Sequence, residues 1–499
     1  MPDGSNIVPM FGRGFFSKSR TVTSQALTNL YREPQGDADK AQMVFYGTPG
    51  LKLFADVSLS VPGCLAIRGM RQVGNYLYFV IGLSSPSPGV NSQSIIFGVD
   101  ASGAGFTIDV PIVSAGIQTY AGRVGICDNG SQVIIVDGVA GWTFPINATG
   151  RWTGGATFLK IADVDFPNGA TTVAFLNGYF VCDNPNGSHV GQFNWSAQYD
   201  GTTWAALDFA NAESSPDALV HVFSNFGQLF LFGTTTAEVW APSGDAAIFR
   251  RVGGAGVEWG LAAKWTVDKF ANNSIVFLGK NKLGQAQFVR MDGYTITPLT
   301  DPEVTHDLNA RGNLQTATGY SYSLDAHTFY QLNFPDKTYL YDDLSQSYSL
   351  LSSNGGRHLG EIRAELNAVP YVSDYSSANL YTVDPNTYTD NGATIVREIV
   401  GKHVFADYNQ VTIAELFIEF EAGVGLATGQ GSSPQCMLQW SKDNGATWGN
   451  EIWQTIGGIG GYLARAVWRN LGLARDFVFK IRVTDPVKVV ITNAAMRVA

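Results

Sequence analysis

Ser441, Asp443, Gly445 and Trp448 fall in the pattern Ser-x-Asp-x-Gly-x-Thr-Trp, the Asp box, completed by Thr447. The chemistry of such a run is local. The aspartate accepts backbone N–H bonds across a turn, the glycine supplies an unusual φ, and the tryptophan packs beneath. These residues are read as a structural turn. Six histidines, His189, His221, His306, His327, His358 and His403, are scattered without the His-x-His or His-Glu-x-x-His spacing that puts two imidazoles on one metal. No Gly-x-Ser-x-Gly elbow occurs, and Gly279-Lys280 is followed by Asn281 where a phosphate loop needs Ser or Thr. No catalytic, metal or cofactor residue is assigned, and the chain is read as a non-enzyme. Paired carboxylates brought together by the fold are the remaining route to hydrolysis, because glycosidases need only two.

The elements that must position these residues read as β-structure. Charged residues are 15% of the 499, against roughly 25% in ordinary domains, which argues against long solvated helices and disordered polyampholytes. Cys64, Cys127, Cys182 and Cys436 lie far apart with no Cys-x-x-Cys, so neither a disulfide scaffold nor a zinc site is expected, and Cys127 and Cys182 read as buried small apolar residues. The start Met1-Pro-Asp-Gly-Ser-Asn shows no signal peptide, and the longest apolar stretch, Tyr76 to Leu83, is too short to cross a bilayer. The reading is a protein made in a reducing cytosol. A net charge of −10 excludes non-specific DNA binding as the main task, since that relies on Lys and Arg displacing counterions from phosphates.

Repeats organise the chain. Aromatic strand patterns recur at Ile95-Ile96-Phe97, Trp142-Thr143-Phe144, Phe193-Asn194-Trp195, Glu238-Val239-Trp240, Gln287-Phe288-Val289, Tyr339-Leu340-Tyr341 and Asn379-Leu380-Tyr381. From Phe97 to Tyr381 the interval averages about 47 residues, within the range of propeller repeats. A turn and an apolar strand precede most of them, as in Gly74-Asn75, Asn129-Gly130, Asn177-Gly178, Phe226-Gly227, Asn272-Asn273 and Asp325-Ala326. Turn, buried strand, turn and aromatic strand make a four-stranded blade. The fold expected is all-β: a β-propeller of seven blades, with six as the alternative, followed by a small antiparallel β-sandwich.

The boundaries expected are 1–55 for an N-terminal arm and first strand, 56–392 for the propeller, with room for insertions, and 393–499 for the sandwich as a docking domain. In the last of these, Phe477, Phe479, Ile481 and Val483 alternate with Lys480 and Arg482. Arg13 in the arm, and Arg465, Trp468, Arg469 and Arg475 in the sandwich, are candidate interface residues, because Arg and Trp are typical interface anchors. A solvated strand face with one core Trp is the equal alternative for the last four.

Thr28-Asn29-Leu30-Tyr31-Arg32-Glu33, Tyr46-Gly47-Thr48-Pro49-Gly50-Leu51, Ser215-Pro216-Asp217, Leu231-Phe232-Gly233 and Gly472-Leu473-Ala474-Arg475-Asp476 resemble, in order, segments of the packaged-DNA stabilisation proteins of short-tailed bacteriophages, also called tail hub or nozzle proteins. The resemblance runs over most of the chain, with residues about 85 to 170 unmatched. It implies a structural protein of the virion tail, assembled in the host cytoplasm. Six copies would ring below the portal and its adaptor, extend the DNA channel, retain the packaged genome and support tail fibres, spikes or a needle. Genomic DNA would pass without sequence-specific binding. Two alternatives stand beside it. One is a sialidase-like glycan hydrolase, suggested by the Asp box and by Tyr31-Arg32-Glu33-Pro34, which resembles the Arg-Ile-Pro start of sialidases with Glu33 in place of Ile. The other is a propeller scaffold that binds a ligand.

Overall fold

The computed structural model describes residues 7–9, 21–35, 43–59, 63–83, 94–108, 122–154, 159–212, 215–244, 247–299, 301–406 and 409–498. Antiparallel sheets of four strands follow one another along most of this length. They begin with Cys64–Val73, Gly125–Asp128, Val173–Leu176, Leu219–Asn225, Trp259–Leu261, Thr318–Leu324 and Gly360–Leu366; the fifth carries an extra short strand, Asp268–Lys269, and the last carries two, Thr389–Asp390 and Ala393–Thr394.

Local turn chemistry builds each sheet. Asn177 (φ 53°) and Gly178 (φ 91°) join Leu176 to Tyr179, and both central residues take positive φ, which matches the twist of the strands they connect. Asp325 and Ala326 (φ 48° and 66°) do the same without glycine, as do Asn367 and Ala368 (φ 53° and 61°). All seven aromatic patterns lie on the third strand of their sheet, from Ser94–Asp100 to Asn379–Asp384.

Second strands are apolar on both faces because each is covered on both. On Tyr76–Leu83, the side chains of Leu77, Phe79 and Ile81 pack with Ile362 and Leu366 of the last sheet, while Tyr78 and Val80 pack with Val133, Ile135 and Trp142 of the second. The last sheet thus packs on the first and the ring closes. The last sheet borrows its fourth strand, Gly50–Asp56, from near the start of the chain; Leu51 pairs with Val383 and Leu53 with Tyr381. A single α-helix among the described residues, Pro302–Ala310, lies between the fifth and sixth sheets, capped by Asp301.

The C-terminal part is a sandwich. One sheet orders Leu30–Pro34, Met43–Gly47, Val490–Val498, Val411–Phe420 and Ala466–Ala474; the other contains Ala26–Thr28, Arg397–Val400, Asp476–Val483, Gln435–Ser441 and Ile452–Thr455. Phe477, Phe479, Ile481 and Val483 lie in its core, and Arg482 on the opposite face pairs with Glu398 at 2.8 Å and Glu451 at 3.1 Å. Ala26–Thr28, Leu30–Pro34 and Met43–Gly47 therefore belong to the sandwich sheets and Gly50–Asp56 to the propeller. The two bodies share a seam, because Ala26–Thr28 also pairs in parallel with Ser347–Leu351 of the sixth propeller sheet. Asn29, buried and at φ 53°, clips that seam: its amide nitrogen donates to the carbonyls of Ser352 and Val396, each at 2.8 Å.

Candidate functional site

The Asp-box turn leaves the end of strand Gln435–Ser441. Ser441 Oγ donates to Asp443 Oδ1 at 2.6 Å, Thr447 N to the same oxygen at 2.8 Å, and Thr447 Oγ1 to Oδ2 at 2.6 Å. Gly445, at φ 80°, sends its N–H to Ser441 Oγ at 2.8 Å. Donors from Ser441 and Thr447 hold the Asp443 carboxyl down at about 2. Trp448 lies under the Lys480 ammonium, 4.3 Å from the ring centroid. Both carboxylate oxygens are spent on their own turn, which is a folding device.

The sandwich arginines divide by strand parity. Trp468 and Arg469 are neighbours on Ala466–Ala474 and point to opposite faces. Trp468 is buried in the core, and its Nε1–H donates to the Ile452 carbonyl at 3.0 Å. Outside, Arg465 meets Glu419 at 3.3 Å and Arg469 meets Glu415 at 3.1 Å, while Arg497 approaches Glu415 at 3.6 Å. The outward face is thus a lattice of exposed guanidinium groups over half-sunken carboxylates, and Trp468 is not part of it. Arg475 is exposed at the turn between the two sheets. Arg13 lies outside the described residues.

Two clusters carry no sequence motif. Ser24 Oγ is 3.2 Å from His403 Nε2, and His403 Nδ1 is 2.5 Å from Asp476 Oδ2. The order is that of a serine hydrolase triad. The serine, however, also donates to the Asn444 carbonyl at 3.1 Å, and a Cβ on Gly445 would sit 2.9 Å from its oxygen. The Asp-box turn occupies the space a substrate carbonyl would need. The constellation ties the N-terminal segment to the sandwich.

The second cluster lies where the bodies meet. His327 of the sixth propeller sheet is buried, with Nδ1 3.0 Å from Asp342 Oδ1 and Nε2 3.6 Å from Glu33 Oε2 of the sandwich; Tyr31 stands edge-on to its ring at 4.9 Å. Burial pulls the imidazolium down, but Asp342 and Glu33 outweigh it and the net pKa is raised. A raised folded pKa gives stability that is complete below the ordinary value of about 6.5 and is lost as pH rises through the folded value. The urea midpoint is accordingly expected to fall as pH rises above about 6.5, and His327→Gln to flatten that fall. An unchanged slope in the variant would remove His327 from this role. Nearby, Arg397 is buried behind Gly47, where a Cβ would stand 2.6 Å from its Nε. Burial brings its guanidinium down to about 10, with Asp390 acting in the opposite direction.

Sequence reasoning missed both clusters, whose N-terminal members, Ser24 and Glu33, lie hundreds of residues from their partners. It also missed a local signal, the buried aspartate ending an apolar second strand: Asp137, Asp183 and Asp374. Asp183 accepts the N–H groups of Thr171 and Thr172 at 2.8 and 2.7 Å. No group of three or more metal-binding side chains occurs among the described residues. All four cysteines are free, and Cys127, Cys182 and Cys436 are buried. No helix among the described residues is long and apolar enough to cross a membrane.

Comparison with known proteins gives two family matches. The family model described as Bacteriophage P22 Gp10, beta-propeller, matches residues 120–358, and that described as Bacteriophage P22 Gp10, beta-sandwich, matches residues 396–499. No curated protein matches the chain. Among solved structures, similarity is found to a puromycin hydrolase S511A mutant complexed with PGG (11% identity, TM-score 0.40, 70% of this chain and 61% of that one). The chain thus spans about three fifths of that hydrolase's length. Similarity is also found to the Neurospora crassa Pan2 WD40 domain (8%, 0.37, 68% and 94%) and to the beta-propeller domain of the Trilobed protease from Pyrococcus furiosus (9%, 0.38, 66% and 98%). The two family matches cover more than half of the chain, in the order propeller then sandwich, and the chain belongs to the bacteriophage P22 Gp10 family of tail hub and stabilisation proteins, structural components of the phage virion tail.

Proposed function

We propose that this chain is the repeating subunit of a tail nozzle, in which six copies ring below the portal and its adaptor and extend the DNA channel. The ring retains the packaged genome and holds fibres, spikes or a needle. The observation that carries this reading is the pair of family matches in order along one chain. Two features support it. The sandwich is stitched to the propeller by shared strands, which suits a part that transmits load. The net charge of −10 per copy gives about −60 for six, and the inward share of it would repel passing phosphates.

Mass measurement and negative-stain imaging of the purified protein, alone and with a portal–adaptor complex, test the reading. Six-fold rings with an axial hole are the expected result. A strict monomer under both conditions, or a ring lumen lined mostly by Lys and Arg, overturns it. The outer sandwich face is the docking surface in this reading. Arg465→Ser with Arg469→Ser is expected to change monomer stability by less than about 1 kcal/mol, because exposed ion pairs contribute little. The same double variant should weaken ring formation at least about tenfold, as loss of interface arginines does. Unchanged assembly would move the contact to another face.

A further inference from the structure

A cavity of about 430 Å³ opens on the propeller axis, among the innermost strands of the first four sheets and the segment around Trp265 and Lys269. Arg123 dominates its chemistry. The guanidinium lies over the Trp265 ring, 5.2 Å from the centroid, and the same ring stands edge-on to His221 at 5.9 Å. Arg123 Nε and Nη1 are shielded and have no hydrogen-bond partner.

The acids around it are already engaged. Asp268 accepts the N–H groups of Ser321 at 2.7 Å and Lys269 at 2.8 Å; Glu361 accepts the Thr318 hydroxyl at 2.8 Å and pairs with Arg357; Asp128 pairs with Arg71 at 2.8 Å. Burial lowers the Arg123 pKa, and Glu361 and Asp268 oppose this only in part, from a distance and without satisfying its donors. Burial first, then Lys264 and Arg123, hold His221 neutral with a pKa of about 3, so the imidazole adds polarity but no charge. Leaving shielded N–H donors of a charged group unbonded is costly, and a buried group in that state calls for an acceptor.

We propose that the axial cavity binds a small phosphate-bearing molecule, with Arg123 as its anchor and the exposed Lys269 as a second cation at the wall. A planar guanidinium at the wall fits an oxyanion, and Arg123 with Lys269 suits the nearly doubly charged phosphate group, since Arg71 is already paired with Asp128. The volume exceeds that of a bare ion and leaves space for an organic portion beside the phosphate.

Isothermal titration calorimetry of the full chain in chloride buffer tests this with inorganic phosphate, ribose 5-phosphate and succinate. Saturable one-to-one binding is expected, with ribose 5-phosphate tighter than inorganic phosphate and both tighter than succinate. Arg123→Gln should weaken both phosphate ligands about tenfold or more, and Lys269→Gln about threefold, while a change at the exposed Arg251 of strand Phe249–Arg251, Arg251→Gln, leaves binding unchanged. Without ligand, Arg123→Gln should unfold at the same or a higher urea concentration than the wild type, because it removes a half-buried cation with two unbonded donors. A purely structural arginine would lower that midpoint. Absence of saturable binding to the wild type, equal binding by Arg123→Gln, a lowered midpoint without ligand, or preference for succinate each overturns the proposal.

Discussion

A chain that starts at residue 57 is expected to lose both the closed propeller and the sandwich, although only the first ninth of its length is missing. The removed strand Gly50–Asp56 completes the last propeller sheet, and Ala26–Thr28, Leu30–Pro34 and Met43–Gly47 belong to the two sandwich sheets. Leu27, Leu30, Tyr31, Phe45 and Leu51 would all leave buried positions. At about 1.5–3 kcal/mol for each large apolar side chain, the loss is on the order of 10 kcal/mol, as large as the net stability of a typical protein. Asn379–Asp384 would also be left as a bare edge, which invites aggregation. Far-UV circular dichroism, solubility and urea unfolding of the truncated chain check this. A soluble product with the full-length midpoint would refute it. Leu51→Ala is the graded version: it empties a site among Tyr320, Tyr322 and Tyr381 and should cost about 2–5 kcal/mol.

Asp183→Ala carries the second large effect, a loss of about 3 kcal/mol or more. The carboxylate is 2% exposed and takes four hydrogen bonds from one turn: from the N–H groups of Thr171 and Thr172, and from their hydroxyls at 2.8 and 3.1 Å. Alanine leaves the donors of that turn facing an apolar gap beside the third sheet. Thr172 Oγ1 also accepts from Val222 N at 3.2 Å, so the disturbance reaches the fourth sheet. Asp183→Asn keeps one acceptor oxygen and should recover a substantial part of the loss. Urea midpoints rank the three proteins, and hydrogen exchange at Thr171 and Thr172 localises the damage. Slow exchange at both amides in the alanine variant would contradict this account.

What could be read from the sequence was whatever is encoded between neighbours. A two-residue turn and the apolar strand beyond it are specified by adjacent residues, so Asn177-Gly178 and the third-strand aromatics announced themselves. The second strand of the last sheet did not. Its turn is Asn367-Ala368 and its second residue is Pro370, neither of which has the Asn-Gly signature. Strand exchange was hidden for a different reason: nothing in Gly50-Leu51-Lys52-Leu53 states that its partner lies at Asn379–Asp384. Ser24, His403 and Asp476 were separately unremarkable, since only the folded sandwich brings them into line. Arg469 and Trp468 show an open case. Their adjacency in sequence allowed either one patch or a solvated strand face with one core Trp, and strand alternation sends them to opposite faces.

The borrowed strand also imposes an order in time. Leu51 emerges from the ribosome long before its hydrogen-bond partner Asp390, 339 residues later. At about 5–20 residues per second, Ala26–Thr28 and Gly50–Asp56 must wait on the order of tens of seconds for their partner strands. Early sheets such as Gln132–Val136 and its neighbours have local partners and are free to form during synthesis. Ring closure therefore waits for Asn379–Asp384, about three quarters of the way along the sequence, and sandwich assembly for the strands from Val411–Phe420 to Val490–Val498. A ribosome that stalls before residue 379 would release a row of finished sheets with no clasp, and the nascent N-terminus is the segment a chaperone would have to shelter.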